Sequence, residues 1–205
     1  MADGSPEVRK GRKFDQVVDG ATEIFLTQGF EGASVDEIAR RAGVSKATLY
    51  SYFPDKRLLF VEVMKRECEG RAKRAEAFID KSEPVSKVLP LAGHIMLDVF
   101  LSDFGQQVFR MSVAESGSFP ELGQRFWDAG PGLIERELVA YFEEAEARGE
   151  LKIEDKVLAA HQFGELCKAE IHARRVLHLQ DSFSHEEKAR VVNGAAQMFL
   201  ARYGT

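Results

Sequence analysis

Apolar residues recur along most of this chain at intervals of three and four, the spacing that places side chains on one face of an α-helix. The first such stripe consists of Phe14, Val17, Val18, Ala21, Ile24 and Phe25. Helix-forming residues dominate, proline is scarce at 6 residues, and no segment sustains the alternation of a half-buried strand. The pattern therefore predicts an all-α fold.

Start and stop signals divide this pattern into about nine helices. Ser34 with Glu37 fits a capping box, in which each side chain accepts from the other residue's free backbone N–H, and Ser118 with Glu121 fits a second. The run Gly130-Pro131-Gly132 predicts a kink or break within the seventh helix. The predicted helices cover approximately residues 14–28, 34–42, 45–53, 54–79, 85–101, 104–115, 119–147, 155–179 and 184–203.

The second and third helices, joined by a short glycine-containing turn, have the pattern of a helix-turn-helix. Leu49 and Phe53 are four residues apart, so both can anchor the third helix on its neighbours. This anchoring leaves Lys46, Ala47 and Tyr50 facing outward. By itself the pattern is compatible with DNA binding and also with a capped hairpin in an ordinary all-α protein.

The outward residues of the third helix suit contacts with duplex DNA, whose major groove, about 12 Å wide, admits an α-helix. Lys46 can donate to guanine O6 and N7, and Ala47 is small enough to approach a base closely or to touch a thymine methyl group. The hydroxyl groups of Thr48, Tyr50 and Tyr52 suit phosphate oxygens, so they set register rather than read bases.

Other parts of the first third of the chain offer further contacts with the DNA backbone. Helix starts near Ser34 and Pro54 present free N–H groups to phosphate, and Lys56 lies in the turn after Pro54. The basic arm RKGRK at residues 9–13 can reach the backbone or the minor groove. The net charge of −5 does not decide the matter, because residues 1–57 carry nine basic and nine acidic side chains.

The stretch IFLTQGFEGASVDEIARRAGVSKATLYSYFPDKRLLF, residues 24–60, closely resembles the N-terminal domain of TetR-family transcriptional regulators. The matching features are IF…GF at the end of the first helix, SVDEIARRAGVSKATLY across the two motif helices, and YFPDK at the start of the fourth. The resemblance implies phosphate contacts from Ser34, Thr48, Tyr50, Tyr52 and Lys56. It implies base contacts from Lys46 and Ala47.

Two positions depart from the family pattern. Arg57 stands where an acidic residue is more frequent, which adds a positive charge. Ala33-Ser34 stands where two hydroxyl residues often occur, which implies that one backbone contact is missing. Further along, FRMSVAESGSFPELGQRFWDAGPG, residues 109–132, is similar to the AefR-like subset of the family.

The resemblance implies two domains and a regulatory function. Residues 1–55 would be a DNA-binding helix-turn-helix domain with a basic N-terminal arm, and residues 56–205 a larger helical domain for ligand binding and dimerisation. The implied protein is a homodimeric repressor that leaves a palindromic operator when a small apolar or aromatic effector binds. The alternative is an all-helical ligand-binding or interaction protein with a non-functional helix-turn-helix.

Aromatic residues are concentrated downstream, since nine of the 15 phenylalanines and the only tryptophan lie at or beyond residue 100. Such residues can form plain core or line an apolar cavity. The family's sensor cavity favours a lining role, and the candidates are Phe100, Phe104, Phe109, Met111, Phe126, Trp127 and Phe163.

The last two predicted helices carry apolar stripes that can either pair with their copies in a four-helix interface or close the core of the monomer. The resemblance favours the homodimer, which would read two half-sites on DNA. The stripe residues are Val157, Leu158, Phe163, Leu166 and Ile171, followed by Val191, Val192, Ala195, Ala196, Met198, Phe199 and Tyr203.

Several other classes of protein are disfavoured. The longest apolar stretch, Val88 to Leu101, is too short and too polar to span a bilayer, and no signal peptide is evident. Two widely separated cysteines are consistent with a reduced cytoplasm. The spacings among His161, Cys167, His172 and His178 give no helical chelate, so no metal site is predicted. No nucleophile elbow, phosphate loop or acid–base pair indicates an enzyme or a cofactor.

Overall fold

The computed structural model describes residues 11–205, and for residues 71–72 and 74–78 it describes the backbone alone. Within residues 11–205 the chain forms eleven α-helices and no β-strand, with one isolated bridge between Leu151 and Gly204. The all-α prediction is confirmed. Residues 9–10 of the basic arm lie outside the described residues.

The helices are α1 (Arg12–Gly32), α2 (Val35–Ala42), α3 (Lys46–Tyr52), α4 (Lys56–Phe78), α5 (Val85–Leu101), α6 (Asp103–Glu115), α7 (Pro120–Ala129), α8 (Pro131–Ala147), α9 (Lys156–Lys168), α10 (Ile171–Val176) and α11 (His185–Tyr203).

The helices belong to two compact units, the first ending at Arg66 and the second beginning at Glu67. This division falls within α4, whereas the sequence places a domain boundary at residue 55, just before α4 begins. Helix α4 is therefore the covalent connection between the units.

The first unit packs α1, α2, α3 and the start of α4 around one apolar core. Ion pairs from Arg41 to Glu23 and from Arg66 to Asp19 fasten α2 and α4 to the outer face of α1. Regular helical backbone is interrupted at Gly29, whose φ of 72° favours glycine. The core consists of Phe14, Val17, Val18, Ala21, Ile24, Phe25, Ile38, Ala39, Leu49, Phe53, Leu59, Phe60 and Val63.

Helix capping agrees only in part with the sequence patterns. Ser34 Oγ accepts from Glu37 N at 3.1 Å, but the Glu37 carboxylate accepts from the side chain of Gln28 instead of completing the box. The predicted box at Ser118 is wrong, because α7 begins at Pro120 with no side-chain cap. A complete box forms where none was predicted, between Ser184 and Glu187 at the start of α11.

The second unit contains more helices than predicted because two predicted helices are each divided. The break between α7 and α8 falls at Gly130, where the sequence predicts it. The break between α9 and α10 falls at Glu170, whose φ is 64°. It was not predicted, since neither glycine nor proline marks it. Ion pairs from Glu170 to Arg174 and to Arg190 hold the break in place.

Buried Arg175 fixes the short helix α10 in the second unit. Its side chain is 7% exposed and forms ion pairs with Asp103 and Asp181. Its Nε also donates to the carbonyl oxygen of Leu101 at 3.3 Å. All three contacts satisfy a buried cation, which would otherwise be costly.

The apolar stripes of α9 and α11 lie mostly inside the monomer, as the second of the two alternatives has it. The buried members within one chain are Phe163 of α9, and Val191, Val192, Ala195, Ala196 and Phe199 of α11; Ile171, now in α10, is buried as well. The apolar period alone allows these residues to face either the monomer core or a second copy. They face the core because α5, α8, α9 and α11 pack on one another. The apolar side chains that α9 and α11 leave exposed are Val157, Leu158 and Met198.

No single helix in the described part of the chain has the length and apolar character needed to cross a membrane. The pair α5 and α6, bent by 67°, meets that test on length and composition when taken together. Within the same residues, no group of three or more His, Cys, Asp and Glu side chains is placed to hold a metal ion.

The close approach of α1 to α2 generates a stability prediction. A Cβ added at Gly20 would lie 2.8 Å from the backbone nitrogen of Ala42, so Gly20→Ala must force the two helices apart. We expect a loss of about 1–3 kcal/mol in the free energy of unfolding, measured by urea denaturation.

Gly164→Ala is the matched control for that measurement. Gly164 also lies inside a helix, but a Cβ there would meet only the end of the Met96 side chain at 3.7 Å. This variant should be neutral or stabilised by up to about 1 kcal/mol. Equal stability of the two variants would contradict the close packing of α1 on α2.

Candidate DNA-binding and effector-binding residues

Helix α3 is held by its apolar face and by its first turn. Leu49 is fully buried, and the ring of Phe53 lies 5.2 Å from that of Phe14. Ser45 caps the helix, because its Oγ accepts from Thr48 N at 3.1 Å and lies 2.8 Å from Thr48 Oγ1. The short helix therefore has one defined rotation about its axis.

That rotation exposes the predicted base-reading side of α3. Lys46 and Ala47 are exposed, and the Tyr50 side chain is 42% exposed. Lys46 presents a cation that only donates hydrogen bonds, Ala47 a methyl group and Tyr50 a phenolic hydroxyl group, all within two turns of the helix.

The exposed Lys46 is not free, because its Nζ lies 2.9 Å from a carboxylate oxygen of Asp36. Asp36 belongs to the first turn of α2, so this ion pair crosses the helix-turn-helix. The hydrogen bond and the charge of Asp36 raise the pKa of Lys46 above its ordinary value. No signal in the sequence marks this contact, because it depends on the angle between the two helices.

The predicted phosphate-contacting residues are placed differently from one another. Ser34 is exposed at the start of α2, while Thr48 is half-buried by its contact with the cap. Tyr52 is also half-buried, since its ring meets Phe14 edge-on at 5.9 Å. Its hydroxyl group therefore extends from a ring whose position the core fixes.

Lys56 makes internal contacts that the sequence does not indicate. Its Nζ donates to the carbonyl oxygens of Phe30 at 2.9 Å and Ala33 at 3.1 Å. It also lies 4.2 Å from the centroid of the Phe30 ring. A cation placed on carbonyl oxygens at the end of a helix is favourable, so Lys56 stabilises the end of α1 in this structure.

Three of the predicted pocket residues, Phe100, Phe109 and Phe126, join a partly exposed aromatic cluster in the second unit. His172 contacts Phe100 at 6.2 Å and Phe109 at 5.2 Å, and Phe109 contacts Phe126 at 6.2 Å between ring centroids. We call these four residues the aromatic cluster. They come from α5, α6, α7 and α10, and each is only half-buried.

The other predicted pocket residues lie in different surroundings from one another. Phe163 is fully buried and packs edge-on against Phe199 in the core. Met111 is buried on α6, and Phe104 is half-buried. Trp127 is 44% exposed and lies 5.5 Å from the ring of His161.

Helix α6 also contains polar atoms that the sequence does not single out. Gln106 Oε1, Arg110 Nη1 and Ser112 Oγ are buried and have no hydrogen-bond partner within the described residues. Gln106 is fully buried, and its Nε2 donates to the carbonyl oxygen of Phe100 at 2.5 Å. The amide nitrogen of Gln106 is thus hydrogen-bonded to the backbone of Phe100, a member of the aromatic cluster, while the amide oxygen has no partner among those described residues.

Burial shifts the protonation of two nearby groups. Burial and the charge of Lys168 lower the pKa of His172, which favours its neutral form at pH 7. Burial raises the pKa of the Cys167 thiol to about 12, so this thiol stays protonated and unreactive.

Two family models match the chain. The model described as "Bacterial regulatory proteins, tetR family" matches residues 17–63, and that of the "AefR-like transcriptional repressor, C-terminal domain" matches residues 87–205. The HTH-type transcriptional activator FasR of Mycolicibacterium smegmatis is 43% identical over 55 residues, or 27% of this chain. The match spans only 25% of FasR, and the fatty acid metabolism regulator of Bacillus subtilis is matched over only 43% of its length.

Solved structures extend the similarity to almost the whole chain. The flavonoid-responsive regulator FrrA is 34% identical, with 95% of this chain and 98% of that chain covered and a TM-score of 0.68. FadR from Bacillus subtilis, solved with stearoyl-CoA, is 22% identical, with 92% and 98% covered and a TM-score of 0.64, so it shows the fold alone. Because a family model matches more than half of the sequence, the chain belongs to the TetR family of bacterial transcriptional regulators, with a C-terminal domain of the AefR-like type.

Proposed function

We propose that this chain is a homodimeric, ligand-responsive repressor that binds a palindromic DNA operator through α3. The observation that carries the proposal is the geometry of α3, which buries Leu49 and Phe53 and exposes Lys46, Ala47 and Tyr50. In this assignment Lys46 and Ala47 contact bases. The phosphate contacts come from Ser34, Thr48, Tyr50, Tyr52 and Lys56.

Lys56 can contact a phosphate only if its internal hydrogen bonds allow it. Its Nζ already contacts two carbonyl oxygens, so it can reach a phosphate only by sharing its third proton or by leaving the end of α1. The first turn of α1, where Arg12 and Lys13 are exposed, offers additional cations for the DNA backbone.

The effector we propose is a small aromatic molecule bound in the second unit. The aromatic cluster offers a partly exposed surface of rings, and FrrA, which is similar over nearly its whole length, is responsive to flavonoids. Phe100, Phe104, Phe126 and Trp127 would contact this effector, with Met111 and Phe163 behind them. The protein would act in the cytoplasm, without a cofactor or an enzymatic reaction.

The proposed response is a shift between conformations that space the two recognition helices differently. A ligand can shift such an equilibrium only by binding one conformation more tightly than the other. Helix α4 carries the effect, because it runs without interruption from Lys56 to Phe78 and is the covalent connection between the units. An effector that binds tightly and leaves operator affinity unchanged would refute this coupling.

A dimer supplies what a single α3 lacks, since seven residues of helix contact too few bases for useful specificity. TetR-family regulators work as dimers. The surface we assign to the second copy is the exposed apolar part of α9 and α11, namely Val157 at 47%, Leu158 at 50% and Met198 at 62% exposure.

The competing proposal is an all-helical ligand-binding or interaction protein whose helix-turn-helix does not function. The protein's own upstream DNA separates the two proposals. Binding of the purified protein to that fragment, measured by fluorescence anisotropy in dilute buffer, supports the repressor, and the absence of binding favours the competitor.

Lys46 and Tyr50 should affect DNA binding in different ways. Lys46→Ala should change base preference by about 1–3 kcal/mol at one operator position, because a base-edge contact is lost. Tyr50→Phe removes only a hydroxyl group and should weaken binding to all sequences alike. Fluorescence anisotropy against a set of single-base operator variants measures both effects.

Lys87→Ala is the control for those variants, since Lys87 is an exposed lysine of the second unit that pairs with Glu83. It should bind DNA like the wild type. Full operator affinity and unchanged preference in the Lys46→Ala/Tyr50→Phe double variant would remove α3 from the interface.

The Asp36–Lys46 ion pair should restrain non-specific binding. Asp36→Asn frees Lys46 and removes a negative charge that faces the phosphates, so affinity for non-operator DNA should rise about 2–10-fold at low salt. Asp98→Asn is the control, because Asp98 pairs with Lys188 at 2.7 Å in the second unit and changes net charge equally. Equal rises in both variants would show a general charge effect instead.

Met198→Glu should weaken the dimer, because a charge would be buried in the interface that we assign to α9 and α11. We expect a shift toward the monomer in size-exclusion chromatography with light scattering, together with weaker operator binding. Leu91→Glu, at a side chain of α5 that is 42% exposed, should stay dimeric. A dimer that persists in Met198→Glu with wild-type stability would place the interface elsewhere.

A further inference from the structure

Two polar side chains one turn apart on α6 have buried atoms without partners. Gln106 is fully buried, and its Oε1 has no hydrogen-bond donor within the described residues. Arg110 follows four residues later, so the two side chains leave the same face of α6. Its Nη1 is buried and, within the same residues, has no acceptor.

These atoms have a definite chemistry. Guanidinium nitrogens only donate hydrogen bonds, whereas the amide oxygen of glutamine only accepts them. A buried polar atom left unpaired is destabilising, and a buried charge more so. A molecule that brings an acceptor to Arg110 and a donor to Gln106 would relieve both.

The neighbouring charges favour an anion over a cation. Arg110 has no ion-pair partner among the described residues. Lys168 places its Nζ 5.3 Å from the Phe100 ring, although it also pairs with Glu165. The carboxylate of Glu170 is occupied by Arg174 and Arg190. The positive charge of Arg110 therefore lacks the kind of ion pair that Lys168 and Glu170 have.

The aromatic cluster adjoins the same two residues. Phe109 lies between them in sequence and contacts the rings of Phe126 and His172. Gln106 donates to the backbone of Phe100, whose ring also meets His172. Because none of these four rings is fully buried, a planar aromatic molecule can pack against them.

We propose that Arg110 and Gln106 form the polar side of an effector site for an aromatic molecule that carries an anionic oxygen at one end and a hydroxyl group at the other. Arg110 binds the anionic oxygen, Gln106 accepts from the hydroxyl group, and the aromatic cluster holds the ring. This proposal rests on the proposed function only in naming the ligand as the effector. The binding site itself can be tested without DNA.

Binding of four small molecules to the wild type by isothermal titration calorimetry tests this specificity. The molecules are 4-hydroxycinnamate, its neutral methyl ester, 4-methoxycinnamate, which lacks the hydroxyl donor, and decanoate, an acid without a ring. We expect 4-hydroxycinnamate to bind at least about 10-fold more tightly than each of the other three.

Arg110→Met should remove the preference for the acid over its methyl ester, and Arg110→Lys should restore part of it. Gln106→Met should remove the preference for the hydroxyl compound over the methoxy compound. Arg136→Met is the control, because Arg136 is an exposed arginine of α8 and should leave all four affinities unchanged.

Thermal unfolding of the free variants separates ligand binding from a structural role. If Arg110 serves the ligand, Arg110→Met should keep or raise the Tm of the free protein and lose the increase in Tm that 4-hydroxycinnamate gives the wild type. A lower Tm in Arg110→Met with an unchanged preference for the acid would show a structural arginine and overturn the proposal.

The remaining outcomes are also decisive. Equal affinity for the acid and the ester, tighter binding of decanoate, or no binding of 4-hydroxycinnamate overturns this site, even where the protein binds its upstream DNA. Selective binding of 4-hydroxycinnamate that depends on Arg110 supports the site, even where DNA binding fails and the repressor proposal falls.

Discussion

The burial of Leu49 and Phe53 is the constraint on which the proposed DNA-binding face depends. Helix α3 has only seven residues, so its own backbone hydrogen bonds could not keep it folded or fix its rotation. Two buried side chains four residues apart determine both, and the ring of Phe53 packs against Phe14 of α1. With that side fixed, the periodicity of the helix leaves Lys46 and Tyr50 no direction except outward. The same two contacts therefore serve stability and recognition, and a substitution at either position would disturb both.

The first unit is nearly neutral, with 11 basic and 10 acidic side chains in residues 1–66, and several of its basic groups form local ion pairs. Lys46 contacts Asp36, Arg41 contacts Glu23, and Arg57 contacts Asp55. Exposed pairs of this kind contribute little to stability, typically below about 1 kcal/mol. In the proposed complex with DNA their larger effect would be on binding, because phosphates must compete with carboxylates that already hold these cations. Such a surface gains little from non-specific DNA and depends more on correctly placed base contacts.

Local patterns in the sequence predicted the helices of this fold well and their tertiary contacts poorly. The spacing of apolar residues located most helices, and Gly130 located one break. The break at Glu170 escaped, because ion pairs with residues of other turns and of α11 hold a backbone conformation that the local sequence disfavours. The contacts of Lys56 were also not predicted, because its partners, the carbonyl oxygens of Phe30 and Ala33, are distant from it in sequence. A sequence shows which face of a helix is apolar, but it does not show what covers that face.

Two arginines of the second unit, Arg175 and Arg110, differ in their hydrogen-bond and ion-pair partners, and no sequence pattern reveals this difference. Arg175 is saturated by two carboxylates and a carbonyl oxygen, and it holds α10 against the end of α5. Arg110 has a buried nitrogen with no such partner in the described residues, beside a half-buried group of aromatic rings. A fold under selection only for stability would pair or replace that group. An acceptor from outside the chain would complete the hydrogen bonds of Arg110, which is why we propose that Arg175 is a structural cation and that Arg110 binds a ligand.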